Sequence, residues 1–397
     1  MAEEVELLVA GCGPAGATAA REAARSGIET LVLDKDAVVG TKRVCAAGLR
    51  PGFCAEFDLP RSLVHCDTPR LALFDPSGRE HEVFFGPGHT STREELDGTM
   101  ARLAHEAGAH IATSTLFRGA GANDGAKIVE YADLKTGERK TIRARHVFLA
   151  QGSTAKLEST PFAYDAWTPN LMTTLQYRVY LEKPAAPIAY QTLEMHYFDS
   201  QDGRTLIGWM FPKRDHLAIG LGVMGKMPGA QIRAELDAFA QRVGARLYPG
   251  IAQTIKTEGH LLYGGPPRPV VSDAALLLGG TAAGLVDATN GEGIFEAAMS
   301  GRMAAQAVAA ERAGAGPAAK TYANALKSRF DRRLKHRVAL MRYLERRPGR
   351  FGVLFKQLSK SPRFADILQR EDRERSMTDR LYLYQQALQF ALRSQRV

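Results

Sequence analysis

Apolar runs near the start of the chain alternate with a helical stretch. Residues 5–10 form a short run that is apolar except for Glu6, which is typical of a buried parallel strand. Helical spacing follows over residues 14–26, and Gly27 ends it. A second apolar run over residues 29–33 ends at Asp34. The opening of the chain therefore predicts a βαβ unit.

The pattern changes after residue 40. Residues 41–87 are rich in loops, whereas residues 160–270 alternate apolar and polar positions in the manner of an antiparallel sheet. Further buried strands and amphipathic helices are predicted at residues 93–107, 147–150, 274–278 and 293–313. From residue 317 onward the chain is mostly helical and basic.

Composition and charge indicate a globular protein and limit the kinds of partner it can bind. Hydrophobic residues make up 45% of the 397 and charged residues 24%, as in ordinary globular proteins. The net charge of +9 indicates an anionic ligand, an anionic membrane surface or nucleic acid. No nucleic-acid motif accompanies that charge, so we expect no nucleic-acid partner.

Targeting and metal signals are also missing from the sequence. The acidic residues 1–6 are no signal peptide, and no apolar run approaches the about 18 residues of a membrane span. The four cysteines form no C-x-x-C pair, and the histidines have no metal-ligand spacing. We therefore expect reduced thiols, no metal site and a cytoplasmic protein.

A glycine loop fills the first βα turn. Gly11, Gly13 and Gly16 fit G-x-G-x-x-G, in which glycines allow the tight turn, the approach of a pyrophosphate and close helix–strand packing. Asp34 stands where a carboxylate accepts hydrogen bonds from ribose hydroxyls. A glycine turn without ligand is the alternative. The predicted cofactor-binding residues of this unit are Gly11, Gly13, Pro14, Ala15, Gly16, Asp34 and Lys35.

Two features favour FAD over NAD. The chain breaks into loops after Asp34, whereas an NAD dehydrogenase continues with regular βα units. The stretch at residues 276–301 is a buried strand followed by small residues and a helix start, so a flavin ring can lie against its backbone. A ligand-free glycine loop is again the alternative. The predicted cofactor-binding residues here are Gly280, Thr281, Gly291, Gly293 and Ile294.

Four segments together resemble the geranylgeranyl reductase family of flavoproteins, within the aromatic hydroxylase fold group. They are the glycine loop with Asp34, "CAAG" at 45–48, "GWMFPK" at 208–213 with Gly220, and "AAGLVDATNGEGI" at 282–294. The resemblance implies an α/β fold with a Rossmann-like FAD-binding domain at residues 1–160 and 271–315. An antiparallel-sheet substrate domain is then inserted at 161–270, and a helical basic region follows at 316–397.

The resemblance also implies roles for individual residues. Cys45 and Ala46 border the flavin, and Cys45 helps to orient or protonate the substrate; a small buried hydrophobe is the alternative for Cys45. Arg93, in R-x-x-x-D with Asp97, approaches the cofactor; a surface ion pair is its alternative. The remaining implied site residues are Gly152 for the cofactor, and Trp209, Phe211 and Pro212 for an apolar substrate channel.

The sequence departs from the family at two positions. Thr281 stands where the family has an aspartate, and Ile207 stands where it has a tyrosine. The first departure bears on FAD affinity, and the second bears on the substrate pocket.

The implied activity is FAD-dependent reduction of carbon–carbon double bonds in an isoprenoid chain of a lipid, quinone or pigment. One alternative is a flavin-dependent monooxygenase or halogenase on the same fold, for which Lys213 is a loose candidate lysine. Another is a non-catalytic flavin- or lipid-binding protein, which Thr281 keeps open. We recognise no second nucleotide fingerprint, so the external electron donor is NADPH or a ferredoxin.

The basic C-terminal region has two interpretations. Residues 327–350 contain ten Lys and Arg residues against two acids, and an apolar row accompanies them at near-helical spacing. A solvated helix packed by its apolar side is one interpretation. The other is a membrane-surface helix that attracts anionic lipid and attaches the protein peripherally. The row consists of Phe330, Leu334, Val338, Met341 and Leu344.

Overall fold

The computed structural model describes residues 4–41, 45–84, 86, 88–123, 125–158, 160–249, 252–370 and 374–395. In chain order, the strands are β1 (Glu4–Ala10), β2 (Thr30–Leu33), β3 (Gly48–Leu49), β4 (Cys66–Thr68), β5 (Arg70–Phe74), β6 (Glu80–Val83), β7 (Gly88–Thr90), β8 (His110–Ala112), β9 (Thr115–Asn123), β10 (Ala126–Asp133), β11 (Arg139–Leu149), β12 (Leu171–Leu181), β13 (Thr192–Asp199), β14 (Thr205–Pro212), β15 (Leu217–Met224), β16 (Ala252–Tyr263), β17 (Ser272–Asp273) and β18 (Leu276–Leu278).

The helices surround these strands, and most of the later ones follow the last strand. They are α1 (Pro14–Arg25), α2 (Phe53–Glu56), α3 (Arg93–Glu106), α4 (Gly229–Leu247), α5 (Ile294–Arg312), α6 (Ala318–Leu326), α7 (Arg332–Glu345), α8 (Gly349–Lys360), α9 (Pro362–Gln369) and α10 (Met377–Ser394).

The first layer is an eight-stranded sheet with the order β17-β18-β11-β1-β2-β8, and β9 and β10 extend it from β11. Its centre is parallel, because β1 pairs in parallel with both β2 and β11. A parallel sheet is buried on both faces, which explains why residues 7–10 and 31–33 are all apolar. Helices α1 and α5 cross closely here: a Cβ at Gly301 of α5 would lie 2.0 Å from the carbonyl oxygen of Ala15.

The second layer is a seven-stranded sheet with the order β16-β12-β15-β14-β13-β5-β6. Its pairs are antiparallel except for β5 with β13. Strands β5 and β6 come from the stretch expected to belong wholly to the FAD-binding domain. They extend the second sheet because β5 completes the edge of β13, with Leu71 opposite Leu193. The expected boundary at residue 160 therefore does not separate the two sheets. A small sheet of β3, β7 and β4 lies beside them.

The two faces of the seven-stranded sheet contact different partners. Along β14, Leu206 and Met210 point to one face and pack with Phe239 of α4. Ile207 and Phe211 point to the other face and pack with the C-terminal helices. This alternation is the period of two that a strand imposes.

The C-terminal region belongs to the folded body. Phe330 and Leu334 join the core of the first layer, and Met341 and Leu344 join the core under the second sheet. The apolar row proposed for a membrane surface is thus buried, because it covers the two sheets. The interpretation of a helix packed by its apolar side is correct for this row. In the described ranges, no helix is long and apolar enough to cross a membrane.

Candidate functional site

One cavity of about 1330 Å³ runs from the glycine loop to the C-terminal helices. Ligand pockets are typically about 300–1,000 Å³, so this space exceeds the needs of one small molecule. The predicted site residues that line it are Gly11, Gly13, Pro14, Ala15, Asp34, Lys35, Cys45, Ala46, Arg93, Gly152, Trp209, Phe211, Gly280, Thr281, Gly291, Gly293 and Ile294.

Two predicted site residues lie behind the cavity wall. A Cβ at Gly16 would lie 1.8 Å from the carbonyl oxygen of Gly11, so Gly16 allows the turn to close. Pro212 is buried, and its carbonyl accepts a hydrogen bond from the Thr90 hydroxyl at 2.6 Å. The strand period explains the second case, because Pro212 points to the face opposite Phe211. Both residues support the site from behind and do not line it.

The glycine loop forms a cradle at the start of α1. Gly11 has a φ of +100°, and a Cβ there would lie 2.6 Å from the carbonyl oxygen of Ala150. Gly13 precedes α1, and no side chain caps the helix. The first N–H groups of α1 are therefore open to a ligand, and the helix dipole favours an anion there. This geometry fits the pyrophosphate of a dinucleotide.

Asp34 lies at the end of β2, on the cavity wall. Its carboxylate accepts hydrogen bonds from the backbone N–H of Cys12 at 2.6 Å and of Asp36 at 2.9 Å. Burial raises the pKa of Asp34, and these two hydrogen bonds oppose that rise. The side chain is thus fixed beside the glycine loop, where it fits the ribose of the same dinucleotide.

Arg93 connects the glycine loop with the loop that carries Cys45. Its guanidinium donates to both carboxylate oxygens of Asp97, at 2.8 and 2.5 Å. It also lies 3.6 Å from the Cβ position of Gly13. Burial lowers the pKa of Arg93, but Asp97 and the Cys45 side chain outweigh this and raise it. Arg93 is therefore a buried, fixed cation on the cavity wall and not a surface ion pair.

The glycine-rich stretch at residues 276–301 also lines the cavity. Gly280 has a φ of +59°, and Thr281 packs 3.6 Å from the Cβ position of Gly293. Gly293 precedes α5, and no side chain caps that helix either. Two open helix N-termini, of α1 and α5, therefore belong to one cavity.

Glycines allow aromatic rings to pack beside the cavity. The ring of Phe211 lies 2.5 Å from the Cβ position of Gly48, which joins β14 to the "CAAG" loop. A Cβ at Gly220 would lie 2.3 Å from the indole of Trp209. The indole N–H of Trp209 donates to Gln176 at 2.9 Å. The Phe211 contact joins the "CAAG" and "GWMFPK" segments, because the ring occupies the space left by the missing side chain of Gly48.

Tyr197 is a cavity residue that the sequence did not indicate. It lies directly opposite Ile207 in the β13–β14 pair, so a phenol stands next to the position where the family pattern has one. Its hydroxyl donates to the carbonyl of Thr289 at 2.7 Å, in the loop before Gly291. Its ring stacks on Phe351 at 4.9 Å. The pairing register of β13 and β14 is needed to see that Tyr197 lies beside the position of the missing tyrosine.

An ion-pair cluster joins Arg50 and the start of α5 to α7. Arg50 contacts Glu292 at 2.7 Å and Glu296 at 3.0 Å, and Arg333 of α7 also contacts Glu296 at 2.5 Å. Burial raises the pKa of Glu296, against the opposing effect of both arginines. Part of the basic excess of the C-terminal region therefore neutralises buried acids at the cavity wall.

The far part of the cavity is apolar. Its wall combines inward-facing strand residues with one side of α7 and α8. The lining residues here include Met172, Leu193, Met195, Leu262, Met341, Leu344, Phe351, Leu354, Phe355 and Leu358. A long hydrocarbon chain fits such a wall, because these apolar side chains can remove it from water.

Known proteins resemble this chain in sequence. No protein-family model matches it. Geranylgeranyl diphosphate reductase of Synechocystis sp. is 29% identical over 322 residues, which are 77% of this chain and 75% of that protein. Digeranylgeranylglycerophospholipid reductase of Methanoculleus marisnigri is 29% identical over 352 residues, 81% of this chain and 80% of that protein.

Solved structures resemble it in fold. A geranylgeranyl bacteriochlorophyll reductase-like protein from Thermoplasma acidophilum superposes with a TM-score of 0.73 at 22% identity, over 96% of each chain. A flavin-dependent brominase superposes with a TM-score of 0.70 at 17% identity, over 91% of this chain and 92% of that one. At these identities the structures establish the FAD-binding fold. The chain therefore resembles geranylgeranyl reductases in sequence, and it has the fold of FAD-dependent oxidoreductases.

Proposed function

We propose that this protein reduces carbon–carbon double bonds of an isoprenoid chain in a lipid, quinone or pigment. One observation carries the proposal: a single cavity joins the dinucleotide cradle to an apolar wall long enough for a hydrocarbon chain. The names of the two sequence relatives, both reductases of geranylgeranyl compounds, support it. The antiparallel-sheet segment and the C-terminal helices would form the substrate side.

The residues of the cradle fit FAD. The glycine loop and the start of α1 would hold the pyrophosphate, Asp34 the adenosine ribose, and the segment around Gly291 the flavin. FAD, when bound and reduced, supplies the hydride for one alkene carbon. An isolated alkene is a poor hydride acceptor, so the protein's task is close positioning of the bond.

The second alkene carbon must receive a proton, and Cys45 is our candidate source. Its side chain lines the cavity, and its Sγ accepts a hydrogen bond from the backbone N–H of Ala47 at 3.3 Å. Arg93 also contacts it. The thiol is therefore held at the wall between the cofactor and substrate parts. A Cys45→Ser variant that keeps full alkene-reducing activity would remove this role.

NADPH or a ferredoxin would deliver the electrons. The spacing G-x-G-x-x-G does recur at Gly220, Gly222 and Gly225, but the first two lie within β15 of the antiparallel sheet and the third directly follows it. That context lacks the parallel βαβ unit of a dinucleotide site. Transient contact with an external donor suits this arrangement. Peripheral attachment to a membrane through the C-terminal region is also part of the proposal, because it would bring the protein to a lipid substrate.

The decisive experiment uses anaerobic, dithionite-reduced holoprotein. Before reduction we expect the absorbance bands of oxidised flavin, and dithionite should bleach them. Incubation of the reduced protein with a prenylated lipid should add hydrogen to the prenyl chain, as read by mass spectrometry. The same sample exposed to air with NADPH provides the comparison. Oxygen-dependent hydroxylation or halogenation without hydrogen addition would assign a monooxygenase or halogenase. Neither activity, with flavin bound, would assign a non-catalytic binding protein.

A further inference from the structure

The last helix, α10, carries an apolar stripe that no part of the described chain covers. Large hydrophobic residues with more than half of their surface exposed are uncommon in a folded protein, and groups of them mark interaction sites. The stripe consists of Met377, Leu381, Tyr384, Leu388 and Leu392, which are 81%, 70%, 69%, 52% and 58% exposed.

The spacing places the stripe on one face of the helix. At 100° per residue these five positions fall within an arc of about 80°, and they extend over about 22 Å of helix axis. The opposite face holds α10 to the protein. There Gln357 of α8 donates to the carbonyl of Gln386 at 2.9 Å, and Tyr343 of α7 meets Ser394 at 2.7 Å. Phe390 and Leu383 of the same face pack into the core under the second sheet. The helix is thus held by one face and turns a second, apolar face outward.

The exposed stripe of α10 contrasts with the apolar row of α7. The apolar residues of α7 cover the core, as an amphipathic helix on a globular protein does. Tertiary packing therefore does not account for the stripe of α10. An apolar surface of this length is explained by a partner outside the chain.

The position of the stripe points to the nature of that partner. The apolar cavity extends to Leu368 of α9 and to Glu374, three residues before α10 begins. A lipid that leaves a bilayer beside α10 would thus meet the end of the cavity nearby.

The charge around the stripe favours a membrane over a second copy of the chain as its partner. Arg380 and Arg393 are exposed and adjoin Leu381 and Leu392 in sequence, and residues 349–395 contain nine Lys and Arg against five Asp and Glu. A two-fold dimer through this face would bring the same cationic surface against itself. Anionic lipid headgroups complement it instead.

We propose that α10 is a membrane-docking helix, with the stripe immersed at the headgroup level of an anionic bilayer and the cavity placed to receive a lipid chain. Docking follows from α10 itself, whereas the use of the cavity by a lipid rests on the proposed function. An interfacial helix of this kind buries its apolar face about 5–10 Å into the membrane.

The test is flotation of the full-length holoprotein with vesicles. We expect the protein to float with mixed phosphatidylcholine–phosphatidylglycerol vesicles at low salt, and less with pure phosphatidylcholine. The double variant L381Q/L388Q should bind at least about tenfold more weakly, because both side chains lose their apolar contact with lipid. The double variant L134Q/I255Q is the matched control, since these residues are similarly exposed elsewhere, and it should bind as the wild type does.

Three results would overturn the proposal. They are failure of the wild type to float, equal flotation of L381Q/L388Q, and a wild-type dimer in light scattering that L381Q/L388Q converts to a monomer. Activity separates docking from function: L381Q/L388Q should keep wild-type activity on dispersed geranylgeranyl diphosphate and lose it on a vesicle-embedded prenyl lipid. If the wild type floats but reduces neither substrate, docking stands and the proposed function fails.

Discussion

The ammonium group of Lys213 donates a hydrogen bond of 2.5 Å to the carbonyl oxygen of Ala46. Lys213 ends the "GWMFPK" segment, and Ala46 lies in "CAAG", so one buried contact joins the two segments on either side of the flavin region. Lys213 is 1% exposed and lies behind the cavity wall. Its position makes it a support for the loop of Cys45 and not a group that meets substrate.

Lys213 should give the stability of the protein a distinctive pH dependence. Burial lowers the pKa of Lys213 to about 7 from the ordinary 10.5. Between these values the unfolded chain binds one more proton than the folded chain, so folding becomes more favourable as pH rises. The difference in free energy of unfolding, wild type minus Lys213→Met, should increase with pH by up to about 1.4 kcal/mol per pH unit in this window.

Urea denaturation across that pH window measures this slope. Lys183→Met, at an exposed position, is the control and should run parallel to the wild type. Parallel curves for wild type and Lys213→Met would mean that the buried amine does not change protonation on folding.

Gly13→Ala should separate FAD binding from folding. A Cβ at Gly13 meets only Arg93, at the ordinary distance of 3.6 Å, and the backbone there is extended. The free energy of unfolding of the apoprotein should therefore change by less than about 0.5 kcal/mol. The added methyl group would nevertheless occupy the cradle where the pyrophosphate approaches the backbone, so FAD affinity should fall at least about tenfold.

Flavin fluorescence titration and denaturation of the apoprotein provide the two readings. Gly119→Ala, where a Cβ meets open space, should leave both unchanged. Unaltered FAD affinity in Gly13→Ala would place the pyrophosphate elsewhere.

Tyr197→Phe should weaken the loop that carries Gly291. The substitution keeps the ring but removes the hydrogen bond to the Thr289 carbonyl, which costs about 1 kcal/mol of stability. We expect a similar loss in Tyr248→Phe, whose hydroxyl donates to the carbonyl of Ala240 at 3.0 Å in the α4 region. Only Tyr197→Phe should also lower FAD affinity, by about threefold to tenfold. Equal FAD affinity in both variants would show that the Thr289 contact supports the fold alone.

Thr281→Asp should tighten FAD binding. Thr281 lines the cavity beside Gly293, at the position where the family pattern has a carboxylate. A carboxylate accepts hydrogen bonds from ribityl hydroxyls more strongly than a threonine hydroxyl does, so a gain of about fivefold to tenfold in affinity is expected. Thr281→Asn, which has the same shape without the charge, should gain less. Weaker binding in Thr281→Asp would mean that the position faces a phosphate and not the ribityl chain.

Local sequence predicted those parts of the site that depend on backbone geometry. The glycine loop, the end of β2 at Asp34 and the start of α5 were all predicted near their observed places, because glycine spacing and apolar periodicity act over a few residues. Trp209 and Phe211 both line the cavity for a similar reason, because residues two apart in a strand share a face. The third glycine of the loop, Gly16, and Pro212 were the residues whose contacts the pattern did not resolve.

Tertiary structure decided what lies across the cavity. Tyr197 opposite Ile207, Arg50 with Glu296, and β5 at the edge of β13 are pairs far apart in the chain, and each depends on a pairing register or helix packing that one sequence does not specify. The C-terminal region shows the difference most clearly. The sequence predicted one apolar row, from Phe330 to Leu344, with a packed or a membrane-facing interpretation, and packing decided that this row is buried while the stripe of α10 is exposed. The row of α7 lies against the two sheets, whereas α10 packs on α7 and α8 through Phe390, Leu383 and Gln386, so its other apolar row remains exposed.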